Sequence, residues 1–299
     1  MMEGPLSGIV CATLTPFVGP SLEVDKVSLF NLVDYLIENN VNTLFPVGTN
    51  GEGINMRLEM RCEVAKLFLE AAKGRVPVVI HTGALTTQET IELTLHAKKM
   101  GALAAGILVP FFYPIDPIAI ERHYAKVAEE VRGFPLYLYN LPALTGQIIP
   151  FDTIRSLLRS YTNFKGLKLS TTDFLSFYRY IEELPDFPIF IGCDQMILSA
   201  LRAGGKGTVS GGANCFPALY SSLYSAFQKE DNRTALEKQT LIGKISRLTF
   251  RFPEYAAYKS ILKRMKIFRS DTMIPPLRPL TPEEEETLHQ ELDSILGRK

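Results

Sequence analysis

Phe164-Lys165-Gly166-Leu167-Lys168-Leu169-Ser170 has the length and apolar content of a buried strand, with two lysines set inside it. Side chains alternate along a strand, so Phe164, Gly166 and Lys168 are expected on one face and Lys165, Leu167 and Leu169 on the other. Runs of the same kind precede it at Gly8–Thr13, Thr43–Val47, Val76–His81, Ala105–Val109 and Leu136–Tyr139, and follow it at Ile189–Gly192 and Gly207–Ser210. Helix-length segments separate them. Leu29–Ile37 is apolar at Leu29, Leu32, Val33, Leu36 and Ile37, a helical spacing, and Glu63–Ala72 and Thr90–Met100 read the same way. Eight strands alternating with helices, without a break in composition, predict an α/β fold, the (β/α)8 TIM barrel, with roughly 31 residues per unit if about 250 are shared among eight. The competing open, doubly wound sheet requires a Gly-rich turn after its first strand. This chain has Thr13-Leu14-Thr15-Pro16-Phe17 there.

Residues 1–215 are expected to form the barrel core, and residues 216–299 a closing helix and a C-terminal helical extension of the same domain. Helical patterns stand at Pro217–Gln228, Arg233–Thr249, Tyr255–Met265 and Pro282–Leu296. Ile274-Pro275-Pro276-Leu277-Arg278-Pro279 cannot be helical and reads as an extended linker. The last helix starts with Thr281 as N-cap, Pro282 in the first turn, and four glutamates that complement the positive end of the dipole.

Of the 299 residues, 46% are apolar and 21% charged, a globular and not a disordered composition. The 32 basic and 32 acidic residues cancel, so no global positive field attracts nucleic acid or an anionic membrane. No uninterrupted apolar run reaches the roughly 18 to 20 residues a bilayer requires. Met1–Leu6 lacks a basic region followed by an apolar stretch, so no leader is expected. Cys11, Cys62, Cys193 and Cys215 form no C-x-x-C pair and read as reduced thiols of a cytoplasmic protein. His81, His96, His123 and His289 make no H-E-x-x-H or H-x-H cluster, and neither a metal nor a cofactor is expected.

Active sites of such barrels lie at the C-terminal ends of the strands. After the second run comes Gly48-Thr49-Asn50-Gly51-Glu52-Gly53, either a tight turn or a loop whose N–H groups converge on an anion. It matches no nucleotide fingerprint. The fifth run ends in Tyr137-Leu138-Tyr139-Asn140-Leu141-Pro142. With Leu136 and Leu138 outward against helices, Tyr139 points into the barrel, 29 residues before Lys168 and on the neighbouring strand at similar height. Gly166, one layer below, is expected to leave room for the lysine stem. An unpaired buried ammonium is costly. Lys168 is therefore either paired with a carboxylate such as Asp173 or Asp194, or a nucleophilic amine that forms a Schiff base with a carbonyl. A neighbouring phenol suits the second reading, because carbinolamine chemistry needs a proton shuttle.

Four stretches in this order, Gly48-Thr49-Asn50-Gly51-Glu52 (against G-[ST]-T-G-E), Tyr139-Asn140-Leu141-Pro142-Ala143-Leu144-Thr145-Gly146, Gly166-Leu167-Lys168 and Gly192-Cys193-Asp194, carry a family likeness. They resemble the dihydrodipicolinate synthase / N-acetylneuraminate lyase family of pyruvate-dependent class I aldolases, and the likeness runs over nearly the whole chain. The resemblance implies a (β/α)8 barrel with a helical extension, a homotetramer and no cofactor. It implies Lys168 as the Schiff-base lysine, Tyr139 as the proton relay, and Thr49 and Asn50 as holders of the pyruvate carboxylate.

The departures bear on the substrate. The synthases carry an arginine at the position of Leu144 to grip a second carboxylate, and losing a bidentate guanidinium argues against that reaction. Their relay includes a tyrosine from a neighbouring subunit at the position of Phe112; strand alternation would turn the adjacent Tyr113 elsewhere. The family's second loop threonine is Asn50, which still donates a hydrogen bond. Sialic acid lyases place Asp-Glu after the seventh strand and a serine after the eighth, where this chain has Asp194-Gln195 and Gly211. The leading expectation is a lyase splitting a 2-keto-3-deoxy sugar acid into pyruvate and an aldehyde, with Gly192, Asp194, Gln195 and Gly211 lining the substrate end. N-acetylneuraminate lyase, dihydrodipicolinate synthase, a non-catalytic 2-keto acid sensor and a metal-dependent aldolase are the alternatives.

Overall fold

Eight strands, β1 (Gly8–Cys11), β2 (Thr43–Leu44), β3 (Val79–His81), β4 (Ala104–Leu108), β5 (Leu136–Asn140), β6 (Phe164–Leu169), β7 (Ile189–Ile191) and β8 (Gly207–Ser210), make one sheet in this computed structural model, which describes residues 6–298. Met1–Pro5, whose composition predicts no leader, and Lys299 lie outside the described residues. The order around the sheet is β2-β1-β8-β7-β6-β5-β4-β3, and neighbouring strands pair in parallel. A further parallel bridge, Leu44 to Val78, brings β2 against the start of β3. The sheet is thus a nearly closed barrel with helices between its strands.

Four strands are shorter than their apolar runs predict; β1 and β7 lose only their last residues, and in β2 and β3, which lose three each, proline is the reason. Pro46 has no N–H to give the ladder, and Val47 after it takes φ 53°, so β2 stops at Leu44 and not at Val47. Pro77 likewise interrupts Val76–His81, leaving Val79–His81 as β3, although the Pro77 carbonyl still accepts from Leu44 N at 2.9 Å.

Packing divides into two layers. Val10, Ala12, Phe45, Val79, Ala104, Leu108, Tyr139, Phe190 and Val209 fill the barrel interior, while Ile9, Cys11, Leu44, Ile80, Leu136, Leu138, Leu167 and Leu169 pack in the larger cluster with the helices. That is the period-2 alternation of strands covered on both faces. One expectation fails. Leu136 pairs with Phe164 but Tyr137 pairs with Gly166, so Lys165 is an extra residue. This bulge turns Phe164 to the outer cluster, against Tyr124 and Tyr161, and leaves Lys165 exposed. Gly166 and Lys168 keep the inward face.

The helices are α1 (Lys26–Glu38), α2 (Leu58–Ala72), α3 (Thr87–Lys99), α4 (Pro117–Glu130), the single turn α5 (Pro142–Thr145), α6 (Phe151–Ser160), α7 (Phe174–Glu183), α8 (Ile197–Arg202), α9 (Pro217–Gln228), α10 (Asn232–Thr249), α11 (Glu254–Arg264) and α12 (Pro282–Leu296). Local chemistry sets their starts. Asp25 accepts from Ser28 N, and Thr86–Glu89 and Thr281–Glu284 form reciprocal capping boxes. A two-stranded ribbon, Phe17–Val18 with Glu23–Val24, has no counterpart in the sequence reading; Phe17 also bridges to Thr272. Among the described residues no helix is long and apolar enough to cross a membrane.

Candidate active site

At the carboxyl ends of the strands a cavity of about 360 Å³ opens. Its walls come from distant parts of the chain: Thr49 and Asn50 after β2, Tyr139 on β5, Lys168 on β6 with Ser170, Thr171 and Thr172 behind it, Gly192 to Asp194 after β7, Gly211 after β8, and Glu254 and Tyr255 from α11. The volume lies in the range of small-molecule sites.

Lys168 and Tyr139 are direct register partners across β5 and β6, which sets them side by side at one height. Lys168 is 8% exposed. Its Nζ stands 3.8 Å from the centroid of the Tyr139 ring and 5.1 Å from that of Phe45. Neither Asp173 nor Asp194 lies within salt-bridge distance; the Asp173 side chain instead caps α7, accepting from Ser176 N. Tyr139 Oη and Thr49 Oγ1 share a hydrogen bond of 3.3 Å, joining phenol and loop. The space above Gly166 is not occupied by the lysine stem. A Cβ there would stand 2.7 Å from the Tyr137 ring, so Gly166 makes room for that aromatic side chain.

Behind Tyr139 sits the buried ring of His81, edge-on at 5.8 Å. Arg61 Nη2 donates to His81 Nδ1 (2.7 Å) and to the carbonyls of His81 and Gly83. His81 Nδ1 also stands 3.2 Å from the Val47 carbonyl, and Nε2 has no partner among the described residues. Burial and the neighbouring Arg61 push the imidazole well below its ordinary range, so the ring is neutral, and burial lowers Arg61 itself to about 10.

The loop after β2 is held from beneath. Glu52, in left-handed backbone at φ 57°, receives a hydrogen bond from Lys259 Nζ on Oε1 (2.5 Å) and one from Ile274 N on Oε2 (2.7 Å). Lys259 Nζ also donates to the Thr272 carbonyl, and both side chains are fully buried. The C-terminal helices therefore clamp the loop that carries Thr49 and Asn50. Above it, the Asn50 side chain lies across Gly211: a Cβ at 211 would stand 2.8 Å from Asn50 Oδ1. The amide at 50 and the missing side chain at 211 are thus spatially one change.

Asp194 lines the cavity with its carboxylate almost wholly buried. Tyr220 Oη donates to Oδ2 (2.7 Å), Oδ1 has no partner among the described residues, and burial raises the carboxyl above its ordinary range. Gln195 is not part of this wall. Residues 194–196 form a 3-10 turn, whose successive side chains splay apart, so Asp194 turns in and Gln195 is exposed. Phe112 and Tyr113 are also elsewhere, 79% and 72% exposed and stacked edge to face on each other. Alternation does not govern Tyr113, because Phe112 sits at φ 81° and the segment is not extended.

Glu254 and Tyr255 are wall residues that the sequence reading missed. They arrive from a helix well over 80 residues beyond Lys168, with no local motif to mark them. Ser170, Thr171 and Thr172 did carry a signal, since they directly continue the lysine strand toward its catalytic end.

The profile of the Dihydrodipicolinate synthetase family matches residues 5–295. Among curated relatives, a 4-hydroxy-tetrahydrodipicolinate synthase of Hydrogenobaculum sp. is 30% identical over 96% of this chain and 98% of its own. An N-acetylneuraminate lyase of Escherichia coli O1:K1 is 30% identical over 93% of both. Among solved structures, YagE, a prophage protein of the dihydrodipicolinic acid synthase family from E. coli K12 in complex with pyruvate, superposes with a TM-score of 0.93 at 27% identity over 97% of this chain and 98% of its own. A dihydrodipicolinate synthase from Acinetobacter baumannii complexed with pyruvate gives 0.90 at 29% identity, over 98% and 99%.

Proposed function

The chain belongs to the dihydrodipicolinate synthetase family, whose members are lyases and synthases of aldolase type, and from that premise we propose that it is a Schiff-base-forming lyase that reversibly cleaves a 2-keto-3-deoxy sugar acid to pyruvate and an aldehyde. The observation that carries this reading is the amine of Lys168: buried, without a carboxylate partner among the described residues, facing a cavity, and stacked on a phenol that is hydrogen-bonded to Thr49.

In the proposed reaction Thr49 and Asn50 hold the substrate carboxylate. Lys168 Nζ attacks the C2 ketone, and the carbinolamine loses water to give an iminium. Tyr139, whose phenol proton has left with the carbinolamine hydroxyl as water, takes the proton from the C4 hydroxyl as the C3–C4 bond breaks; the electron pair of that bond flows into the iminium, leaving an enamine and the aldehyde. Protonation at C3 and addition of water to the iminium release pyruvate and the free lysine. His81, neutral and held by Arg61, packs the Tyr139 ring in place.

Leu144 at the rim and the lack of any lining cation besides Lys168, among the described residues, support a neutral second fragment over one that carries a carboxylate. N-acetylneuraminate lyase is the second reading, favoured by Asp194 in the wall and by the 30% identical relative of that name. The exposed apolar side chains of Phe112, Tyr113, Leu144 and Ile148 support a homotetramer, which light scattering tests. The clamp of Lys259 on Glu52 supports reading residues 216–299 as one domain with the barrel. Pyruvate with borohydride, followed by peptide mass spectrometry, tests the chemistry: the expected adduct is on Lys168, and an adduct elsewhere or none overturns it. Pyruvate release across a panel of keto acids separates the two lyase readings, and pyruvate binding with neither release nor condensation would favour a sensor.

A further inference from the structure

Two carboxyls line the cavity with Lys168, Asp194 from the turn after β7 and Glu254 from the first turn of α11. An acid in the first turn of a helix ordinarily complements the dipole and points into solvent. Glu254 does not fit that use. It borders the cavity, and Oε1 accepts a hydrogen bond from Tyr258 Oη, one turn along its own helix, at 3.0 Å. Asp194 lines the same cavity; its Oδ2 accepts from Tyr220 Oη, and its Oδ1, enclosed by protein, has no hydrogen-bond partner among the described residues. Two carboxyls lining one cavity give a hydroxylated ligand acceptors and, where one is protonated, a donor.

We propose that Glu254 is a specificity-determining residue of the aldehyde end, where with Asp194 it hydrogen-bonds the hydroxyl groups of the fragment released from pyruvate. This deepens the lyase reading and rests on it. The geometry divides the labour. Asp194, fixed by Tyr220, is the acceptor, and Glu254 in its acid form supplies a donor together with an acceptor. Its protonation suits that role: burial, and then the charge of Asp194, push the Glu254 carboxyl up to about 7. The titratable groups that line the cavity with it are Asp194, Cys193, Lys168 and Tyr139, with Tyr255 and Tyr258 on its own helix. A second carboxylate on the aldehyde would meet this pair without a counter-cation, which is why a neutral polyol is the expected ligand class.

The test uses two probe aldehydes of equal carbon count, glyceraldehyde with hydroxyls and propanal without, condensed with pyruvate by the full chain. The readout is the ratio of their kcat/KM values, so the intrinsic reactivity of the aldehydes cancels between variants. In Glu254→Leu the preference for glyceraldehyde falls by about tenfold or more, the loss expected when a hydroxyl-reading group is removed. Glu254→Gln keeps a donor and an acceptor and retains most of the preference. The parent's preference declines as pH rises through about 7, where the donor proton is lost, and the Glu254→Gln profile is flat there. An unchanged ratio in Glu254→Leu, or an equal collapse in the glutamine variant, overturns the role of Glu254. Borohydride trapping of pyruvate, run in parallel on every variant, keeps the two ideas apart. No adduct in the parent overturns the lyase reading itself, and an adduct in Glu254→Leu shows that its fold is intact.

Discussion

Among the described residues the protein buries two lysines, Lys168 and Lys259, and gives them opposite surroundings. Lys259 is satisfied: one carboxylate, one carbonyl and the face of Phe17 at 4.7 Å surround an amine with no access to solvent. Lys168 has aromatic faces below it, no carboxylate within salt-bridge distance among the described residues, and open space in front. Burial alone therefore says nothing about reactivity. What separates the two amines is that one has its hydrogen bonds completed by protein and the other has them left for a ligand.

Replacing Lys168 with alanine is the harshest way to test that difference. We expect loss of the borohydride adduct and a fall in cleavage of at least about a thousandfold, because no other group supplies the electron sink. An adduct that moves to Lys259 in this variant would erase the distinction. Tyr139→Phe comes next. It keeps the ring under Lys168 but removes the proton carrier, so steady-state cleavage is expected to drop about a hundredfold while the adduct still forms slowly. Full activity in that variant would leave the phenol as packing only.

On the other side, Lys259→Met leaves the Glu52 carboxylate buried without its partner. Breaking a pair of this kind costs about 3 to 5 kcal/mol. Urea unfolding should show that loss, and Glu52→Gln combined with Lys259→Met should recover much of it. Pyruvate KM is expected to rise in the single variant, since Glu52 anchors the loop of Thr49 and Asn50. A midpoint equal to the parent's would mean that the clamp contributes no stability.

Much of this was legible in the sequence because it rests on short-range rules. The eight apolar runs and their alternation locate the strands, and one βα unit of separation sets Tyr139 beside Lys168. The misreadings share a cause: a local break in the periodic rule. The bulge at Lys165 flips Phe164, the 3-10 turn turns Gln195 out, the left-handed backbone at Phe112 removes alternation there, and Pro46 and Pro77 trim two strands. The bulk of Tyr137 takes the space that Gly166 was expected to give the lysine. Glu254 and the partner of Lys259 were out of reach for a different reason. They depend on where α11 docks, and nothing in the order of residues around Glu254 or Glu52 encodes that the two segments meet.

The gentlest perturbation concerns the upper side of the loop that Lys259 clamps from below. Gly211→Ser adds a Cβ 2.8 Å from Asn50 Oδ1, closer than such contacts allow, so the amide must swing away. Asn50 is the free end of a flexible side chain in a half-open wall, so the fold should lose no more than about 1 kcal/mol. Displacing the proposed holder of the carboxylate is expected to raise pyruvate KM by roughly threefold to tenfold, about the value of one hydrogen bond. A shorter side chain relieves the crowding, so Asn50→Thr with Gly211→Ser should restore KM toward the parent, and the double-mutant cycle should show coupling between the two positions. Additive effects would mean that Asn50 and Gly211 act separately, and that Glu52 and Lys259 alone set the position of the loop.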